Sequence, residues 1–600
     1  MAPRRRPDRT DGQTPYGGVE SLAARQAESG DSTTPPSDRR AAARAAAASA
    51  RTAAGGRTSP SRQRPRPDWR KAIRAQSRSS ADSSAAESSA QARPKGHPEA
   101  TAAPASVDAA AAVSTRQATA PFPGASLAST IRSLDGQLHP LTDQQANERL
   151  CRYERDVKGA FDRIVPLLKR LSALQHEDDF TATAQSLARK TLGFELPEPI
   201  LEKAWVSQLD MGTLFAWCVF ETYQKVSEDF FVHDPLQGRD GGAFDSFLRD
   251  CGYHLLDITP CADGRLAHTI SYALRIPFSS VRRRSHAGAL FSIEDTVDRW
   301  VRTEHSRHRE GVPNGADAPT HYLKGVIYHF SSLDPLHQGC AAHDSDDARA
   351  ARCGHDRLAA FQQAIENAFC CGASVDLLLM GIDTDTDAIR VHVPEAGGQV
   401  DLNRWLDARD VYEATRGLTA EQARTRIAAL VEQSAPGPVG EGMVRLISRL
   451  IEHNISQIDY VRQFHGGAYA DAGHAERFIG VGIGFKEVHL RNLTYFTHLD
   501  SVEVGAADLD VGIRIFRGLN VSRGLPVPIV VRFDYSSRVP GARERAIDSC
   551  HRVDGAIRSR YASLFEQEKI HILLTVRDRV NHTPAEAVGS SLAIAAPGGH

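Results

Sequence analysis

Five side chains in the middle of this chain have the types that a water-activating metal site needs. Cys261, Asp263 and Arg265 stand close together, and His329 and Cys340 follow further along the chain. Two thiolates and one imidazole would leave the fourth position of a tetrahedral zinc ion for water. Structural zinc sites are normally closed by four protein ligands, so a set of three is typical of catalysis. We therefore interpret Cys261, His329 and Cys340 as candidate zinc ligands.

The spacing of the three candidate ligands is by itself a weak signal, because it matches no compact metal motif. Their context is more informative. The stretch from His254 to Cys261 predicts a buried strand that is broken by Pro260, and the stretch from Gly325 to Phe330 predicts a second strand. The first two ligands would then lie at or near strand ends, where open α/β sheets place their functional groups.

The region from about His139 onward resembles the carboxysome shell carbonic anhydrases, which are divergent relatives of the β-class carbonic anhydrases. The C-x-D-x-R motif of the β class is intact here as Cys261, Asp263 and Arg265. The later ligands normally form a tight H-x-x-C, whereas His329 and Cys340 are further apart in this chain. That departure is a feature of the carboxysomal branch, so it supports the narrower assignment.

The resemblance implies a zinc-dependent carbonate dehydratase that holds one Zn²⁺ per chain and interconverts carbon dioxide and bicarbonate. Zinc lowers the pKa of its bound water from about 15.7 to about 7, and the resulting hydroxide attacks carbon dioxide. Asp263 would accept a hydrogen bond from this hydroxide, and Arg265 would keep Asp263 ionised. His268, His337 and His343 lie close in sequence to the ligands, but the sequence assigns none of them as a proton shuttle.

Each of these residues also has an ordinary structural interpretation. Cys261 and Cys340 could be buried core thiols, since free cysteine is among the most buried residue types. His329 could be a core histidine, and Asp263 with Arg265 could be an ion pair in a turn. Their joint placement, together with the family resemblance, favours a zinc site.

A competing set of metal ligands consists of Cys353, His355, Cys370 and Cys371, which could form a closed structural zinc site. Helical spacing of the apolar residues before Cys370 argues against it, because adjacent cysteines diverge on a helix.

Two further polar segments invite a functional interpretation. Asp383, Asp385 and Asp387 resemble a calcium loop but lack the glycine and the terminal glutamate of an EF-hand, so we expect a solvated turn or a border of the active site. The run from His305 to Arg309 is typical of a solvated loop.

Length and composition agree with a multidomain enzyme. The chain has 600 residues, of which 41% are hydrophobic, and no apolar run approaches the 18 residues that suggest a membrane span. No secretory signal is recognisable. Nine cysteines are ordinary usage for this length, and a reducing compartment suits thiolate ligands.

The N-terminal region, residues 1–135, is expected to be a disordered basic tail. Its first 130 residues hold 20 Lys and Arg against 11 Asp and Glu, while the whole chain has a net charge of −2. Such a segment has too little apolar surface to fold alone. The resemblance implies that the tail tethers the enzyme inside the carboxysome, with Rubisco or shell proteins as partners. Asp68 could cap a short helix that presents Trp69 and Ile73 to such a partner. We expect no nucleic-acid and no membrane partner.

The remaining chain predicts an α/β protein with three further domains. Residues 136–235 read as an all-helical domain whose first helix starts with a capping box at Thr142. Residues 236–476 would form a zinc catalytic domain like that of the β-class carbonic anhydrases. Residues 477–600 would form a degenerate α/β copy without metal.

The evidence for a copy is local strand similarity. Val527–Ser537 can be aligned with Gly325–Ser332, which puts Asp534 opposite His329. His571–Asp578 can likewise be aligned with the strand that ends at Cys261. Such a copy could replace the second subunit of a β-class dimer, and the resemblance implies a homodimer or a larger assembly.

Two functions remain from the sequence. The first is a carbonic anhydrase that supplies carbon dioxide to Rubisco inside the carboxysome, a bacterial cytoplasmic microcompartment. The alternative is a carboxysome scaffold or linker protein with a structural zinc site. Asp263 and Arg265 favour catalysis, because a structural site needs no such pair beside an open position. A zinc-dependent hydrolase that uses the same hydroxide is a more distant third.

Overall fold

The computed structural model describes most of the chain after residue 136. The described residues are 137–230, 235–236, 241–311, 320–368, 373–470, 473–482, 490–497, 502–581 and 583–592. The expected tail over residues 1–135, with its Trp69 motif, lies outside the described residues. No helix in the described part of the chain is long and apolar enough to cross a membrane.

Five helices form the first described domain. They are α1 (Gln144–Asp162), α2 (Ile164–Leu174), α3 (Phe180–Thr191), α4 (Glu198–Lys203) and α5 (Met211–Phe230). Their apolar faces pack into one shared core, as expected for amphipathic helices. The N-cap of α1 is Asp143, whose carboxylate accepts a hydrogen bond from the N–H of Ala146. The expected capping role of Thr142 is therefore wrong, because its hydroxyl donates to Asp459 instead.

A six-stranded sheet lies at the centre of the second domain. Its strands are β1 (Leu255–Pro260), β2 (Arg282–Arg283), β3 (Thr320–Phe330), β4 (Ala373–Asp383), β5 (Ile389–His392) and β6 (Leu406–Asp407). The order is β2-β1-β3-β4-β5-β6. The first four strands are parallel, and β5 and β6 continue the sheet in antiparallel pairing.

Helices cover both faces of this sheet. They are α6 (Gly241–Asp250), α7 (Ile293–Arg309), α8 (Asp347–Ala368), α9 (Ala408–Thr415), α10 (Ala420–Ser434) and α11 (Glu441–His465). Alternate residues of β3 pack on opposite faces of the sheet, because successive side chains of a strand point to opposite sides. Tyr322 and Val326 pack with α7 and α8, whereas Leu323 and Ile327 belong to the core under the other four helices.

A second, smaller sheet forms the C-terminal domain. Its elements are β7 (Phe478–Gly482), β8 (Thr494–Thr497), α12 (Val502–Leu519), β9 (Val527–Tyr535), α13 (Ala542–Arg560), α14 (Ala562–Glu566), β10 (Ile570–Asp578) and β11 (Glu586–Ser590). The order is β8-β7-β9-β10-β11, with only the β10–β11 pair antiparallel. This repeats the arrangement β2-β1-β3-β4-β5 of the larger sheet.

The strand order corrects one part of the predicted repeat. β9 occupies the place of β3, as the alignment of Val527–Ser537 with Gly325–Ser332 requires. β10 lies between β9 and antiparallel β11, which is the place of β4. The alignment of His571–Asp578 with the strand before Cys261 is therefore wrong, and β7 takes that position. Apolar parallel strands look alike in sequence, so their pattern alone does not fix their order.

The predicted solvated turn at Asp383–Asp387 is buried, and the predicted solvated loop at His305–Arg309 is helical. Asp383, Asp385 and Asp387 are fully buried at the end of β4 and in the turn that follows, because nearby hydroxyl and N–H groups bond their carboxylates. The run from His305 to Arg309 is the last part of α7 and not a loop, although its residues are exposed or half-buried as expected. Of the competing metal ligands, Cys353 and His355 lie on α8, whereas Cys370 and Cys371 are outside the described residues.

Candidate metal centre

The three candidate ligands meet at the carboxyl ends of the neighbouring parallel strands β1 and β3. Cys261 directly follows β1, His329 is the second-last residue of β3, and Cys340 lies in the loop beyond it. All three side chains are buried. The two sulfur atoms are 4.0 Å apart, and the three candidate ligand atoms lie within 4.8 Å of one another. The structure thus brings together three residues that are widely separated in sequence.

This donor set fits a four-coordinate zinc ion. Two sulfurs at about 2.3 Å from a tetrahedral zinc would be about 3.8 Å apart, close to the observed separation. The Cys340 thiol, together with burial, raises the pKa of Cys261 well above its ordinary value. A cation between the thiols would offset this effect, because metals bind the thiolate form. The Nδ1 atom of His329 is buried and makes no hydrogen bond to the residues that the structure describes.

Asp263 and Arg265 form a buried bidentate ion pair beside these ligands. The Arg265 Nε donates to Asp263 Oδ1 at 3.0 Å, and Nη2 donates to Oδ2 at 2.7 Å. Arg265 also donates to the carbonyl oxygens of Gln338 and Gly339, which immediately precede Cys340. The guanidinium group therefore joins the loop after β1 to the loop that carries the third ligand.

The surroundings of Asp263 keep its carboxylate charged. Burial alone would raise the pKa of Asp263, but the charges of Arg265, His474 and His329 outweigh burial and hold that pKa well below its ordinary value. The Nε2 atom of His329 lies 3.2 Å from Asp263 Oδ2. At neutral pH the site thus presents a fixed hydrogen-bond acceptor next to the ligand atoms.

The structure adds two residues that the sequence did not indicate. His474 Nε2 lies 3.7 Å from Asp263 Oδ2, and His474 Nδ1 lies 3.0 Å from Glu476 Oε1. The His474 side chain is 20% exposed, whereas those of Asp263 and Glu476 are buried. Burial lowers the pKa of His474, but Asp263 and Glu476 outweigh this and raise it above the ordinary value. No local motif marks either residue, because both are distant in sequence from the ligands.

The histidines that lie near the ligands in sequence have other partners. His268 Nε2 contacts Asp387, and His337 Nδ1 contacts Asp334 in an exposed pair. His343 Nε2 contacts the carbonyl oxygen of Gly288.

Residues from β7 onward, and the segment just before it, hold the loop that follows Cys261. The N–H of Gly264 donates to Glu476 Oε1 at 3.2 Å, and the Gly264 carbonyl accepts from the N–H of Asn492 at 2.8 Å. A Cβ atom at position 264 would stand only 2.4 Å from Glu476 Cγ. Only glycine fits there without moving Glu476, so the loop and its support are closely matched.

A buried Cys-His-Cys cluster at the carboxyl edge of a parallel sheet, with an Asp–Arg pair beside it, is compatible with a zinc site of the carbonic anhydrase type. Comparison with known families makes this specific. Three family models described as Carboxysome Shell Carbonic Anhydrase match this chain. The N-terminal model matches residues 139–231, the catalytic-domain model matches 243–474, and the C-terminal model matches 475–592.

Individual relatives agree. The carboxysome shell carbonic anhydrase of Prochlorococcus marinus (strain MIT 9313) is 66% identical over 461 residues, which cover 76% of this chain and 90% of the relative. That of Parasynechococcus marenigrum (strain WH8102) is 65% identical over 76% of this chain and 79% of the relative. That of Halothiobacillus neapolitanus is 44% identical over 76% of this chain and 90% of the relative. The chain belongs to the carboxysome shell carbonic anhydrase family. The family resemblance drawn from the sequence is thereby confirmed, and with it carbonic anhydrase activity and a place in the carboxysome.

Proposed function

We propose that the protein interconverts carbon dioxide and bicarbonate at one zinc ion per chain, held by Cys261, His329 and Cys340. Asp263 and Arg265 are the catalytic pair in this proposal. Its main support is the position of the Asp263 carboxylate, which is buried, is held in its charged form chiefly by Arg265, and lies 3.2 Å from Nε2 of the candidate ligand His329. A scaffold protein with a purely structural zinc site has no need of such a group.

The roles of the protein groups follow from their contacts. When bound, zinc would supply hydroxide at neutral pH. Asp263 would accept a hydrogen bond from that hydroxide and so would orient its lone pair toward carbon dioxide. Arg265 holds both carboxylate oxygens of Asp263 and so fixes the direction of that hydrogen bond.

The proton released in each cycle must reach solvent, and we infer that His474 carries it. This side chain lies between buried Asp263 and the protein surface. Glu476 bonds the Nδ1 of His474 and leaves Nε2 facing Asp263. A histidine can both accept and release a proton near neutral pH. Burial lowers the pKa of His474, but Asp263 and Glu476 outweigh burial and raise it.

Zinc content and carbon dioxide hydration should be measured for the wild type and for Asp263→Ala. We expect the variant to keep its zinc and to lose hydration by about a hundredfold or more, because it lacks the orienting acceptor. Asp263→Asn serves as a second variant that preserves the side-chain shape. Asp510→Ala, which removes a carboxylate from the surface pair with Arg560, is the matched control and should behave as the wild type.

The same measurement separates the alternative function. A wild-type protein that binds zinc but does not hydrate carbon dioxide would support the scaffold with a structural zinc site. An Asp263→Ala variant with full hydration would remove Asp263 from the mechanism.

We further propose that the enzyme supplies carbon dioxide to Rubisco and that residues 1–135 bind Rubisco or shell proteins. The basic charge of that region and the family assignment support this proposal. A homodimer or larger homo-oligomer is also proposed, and a mass measurement in solution would test it.

A further inference from the structure

A short turn contacts both Cys261 and the segment that follows Cys340. It is the 3-10 turn Ala287–Ala289, which packs beside Cys261 and the residues after Cys340. The N–H of Gly288 donates to Cys261 Sγ at 3.2 Å. The carbonyl oxygen of Gly288 contacts His343 Nε2 at 3.1 Å, three residues beyond Cys340. Gly288 thus contacts both Cys261 itself and the short segment after Cys340.

The turn has an unfavourable backbone and leaves no spare room. Gly288 and Ala289 are both left-handed, with φ of 62° and 59°. That conformation is costly for a residue with a Cβ atom, so Ala289 adopts it only because its surroundings enforce it. A Cβ at position 288 would lie 2.6 Å from His343 Nε2. External contacts must therefore hold the turn in place.

Two of these contacts come from the C-terminal domain, which holds no metal ligand in this proposal. Asp508 on α12 accepts a hydrogen bond from the N–H of Ala287 through Oδ1 at 2.7 Å. Its Oδ2 contacts His286 Nδ1 at 3.0 Å. The backbone of Asp508 is itself fixed, because its carbonyl accepts from the Tyr495 hydroxyl at 2.8 Å. The backbone of His286 forms a parallel bridge with Cys261: its N–H donates to the carbonyl of Pro260, and its carbonyl accepts from the N–H of Ala262.

We propose that Asp508 is a positioning residue for the metal centre: it holds the Gly288 N–H on the Cys261 sulfur and thereby sets the donor strength of that thiolate. This inference rests on the proposed zinc site. A hydrogen bond to a ligand sulfur withdraws charge from it, so the metal receives less charge and stays a stronger Lewis acid. The C-terminal copy thus acts on a metal that it does not bind.

Cobalt substitution tests this proposal, because thiolate-to-cobalt absorption reports the charge on the sulfur directly. Wild type and Asp508→Ala should be loaded with Co²⁺, and zinc release to a chelator should be followed separately. In Asp508→Ala we expect the thiolate absorption to move to longer wavelength, since the sulfur loses its N–H donor. We also expect zinc release to be about tenfold faster or more, because the turn beside Cys261 loses the Asp508 contacts that hold it, and this loss of positioning outweighs the stronger donation by the sulfur.

Two variants serve as controls. Asp510→Ala removes a carboxylate from the same helix that contacts Arg560 and Tyr561, and it should leave both readouts unchanged. Asp508→Asn keeps the shape and one acceptor oxygen, so it should show a smaller shift, and it replaces Asp508→Ala if that variant does not fold.

The outcomes separate this inference from the proposed function. If the wild type takes up Co²⁺ with thiolate absorption and the Asp508 variants match it in absorption and zinc release, the positioning role is wrong. If the wild type itself gives no thiolate absorption, the proposed zinc site is wrong, and the positioning role fails with it.

Discussion

Single buried charges determine how the site behaves. Asp263 and Arg265 are both almost completely buried, so each side chain compensates the charge of the other in place of water. Removing one partner of such a pair typically costs about 3–5 kcal/mol, because the remaining charge is left uncompensated. The pair tolerates this environment because Arg265 has further acceptors at Gln338 and Gly339. The same contacts that satisfy the arginine also fix the approach to Cys340.

The role of His474 predicts a specific kinetic result. In His474→Ala we expect kcat for carbon dioxide hydration to fall about tenfold or more, while kcat/KM stays within about twofold. In this proposal proton release limits kcat, whereas kcat/KM reports the hydration step that Asp263 serves. The pH dependence should follow, because the wild-type kcat rises as His474 loses its proton, through a pKa raised by Asp263 and Glu476 against the effect of burial.

Added imidazole buffer should restore part of the lost kcat by carrying the proton from solution. His337→Ala removes an exposed histidine of the loop before Cys340 and should leave all parameters unchanged. An equal loss of kcat and kcat/KM in His474→Ala, without rescue by imidazole, would assign this residue to the orientation of Asp263 instead.

Some residues of the site could be predicted from the sequence, and others could not. Cys261, Asp263 and Arg265 form a local motif, and His329 lies on a recognisable apolar strand. His474 and Asp508 carry no motif, because their roles depend on how a later part of the chain packs against the loop after β1. Such contacts arise from tertiary structure, and one sequence contains no local signal for them.

At the scale of elements, the turn after β4 contacts three other segments near the proposed metal centre. The Oδ2 atom of Asp387 accepts hydrogen bonds from Tyr469 at 2.7 Å and from Gln457 on α11 at 2.9 Å. It also contacts Nε2 of His268, which follows the Asp263–Arg265 loop. Sequence alone suggested a solvated turn or a border of the active site, because three aspartates in five residues usually lie in water. The burial reflects partners that come from distant elements.

Asp387→Asn should therefore reduce stability in a pH-dependent way. We expect a loss of about 2 kcal/mol in the free energy of unfolding at pH 7, the scale of hydrogen bonds to a charged group. Burial raises the pKa of Asp387, but His268 and Arg491 lead the groups that outweigh it and lower that pKa below the ordinary value. The charge therefore stabilises the fold above the unfolded pKa of about 3.9, and its contribution disappears as pH falls through the lower folded pKa.

Urea unfolding at several pH values measures this difference. The gap between wild type and Asp387→Asn should shrink as pH falls below about 4. Asparagine tolerates the left-handed backbone found at this position, so the comparison isolates the charge. Asp554→Asn, which breaks a pair with Arg558 on the surface of α13, should change stability by less than about 0.5 kcal/mol. A gap that is independent of pH would contradict the assigned role of the charge.

At the scale of the whole molecule, the two sheets share one strand order, and the three proposed ligands all lie at the larger sheet. Where β3 places His329, β9 places Asp534, which Arg532 bonds through Nε at 2.8 Å and Nη2 at 3.1 Å. Within the described part of the chain, both clusters of metal-ligand type lie at the catalytic site. The second copy has kept its fold and contributes Asn492 and Asp508 as supports.

The N-terminal region, residues 1–135, is expected to act in binding partners and not in catalysis. Deleting residues 1–135 should leave carbon dioxide hydration unchanged, because every residue assigned to the site lies between Cys261 and Asp508. The same deletion should abolish binding to purified Rubisco or to shell proteins. Since the first 130 residues hold 20 basic against 11 acidic side chains, binding of the full chain should weaken as salt increases.

Two substituted tails separate charge from motif in that experiment. A tail with the same composition in scrambled order keeps the charge, and Trp69→Ala with Ile73→Ala removes the apolar face while leaving the surrounding cations. If the proposed motif binds, both changes should weaken capture about tenfold or more at constant salt, since buried aromatic anchors dominate interface energies. Equal binding by the scrambled tail would mean that charge alone tethers the enzyme. Undiminished binding by the truncated chain would place the contact on the folded domains, because no tail residue would then remain to make it.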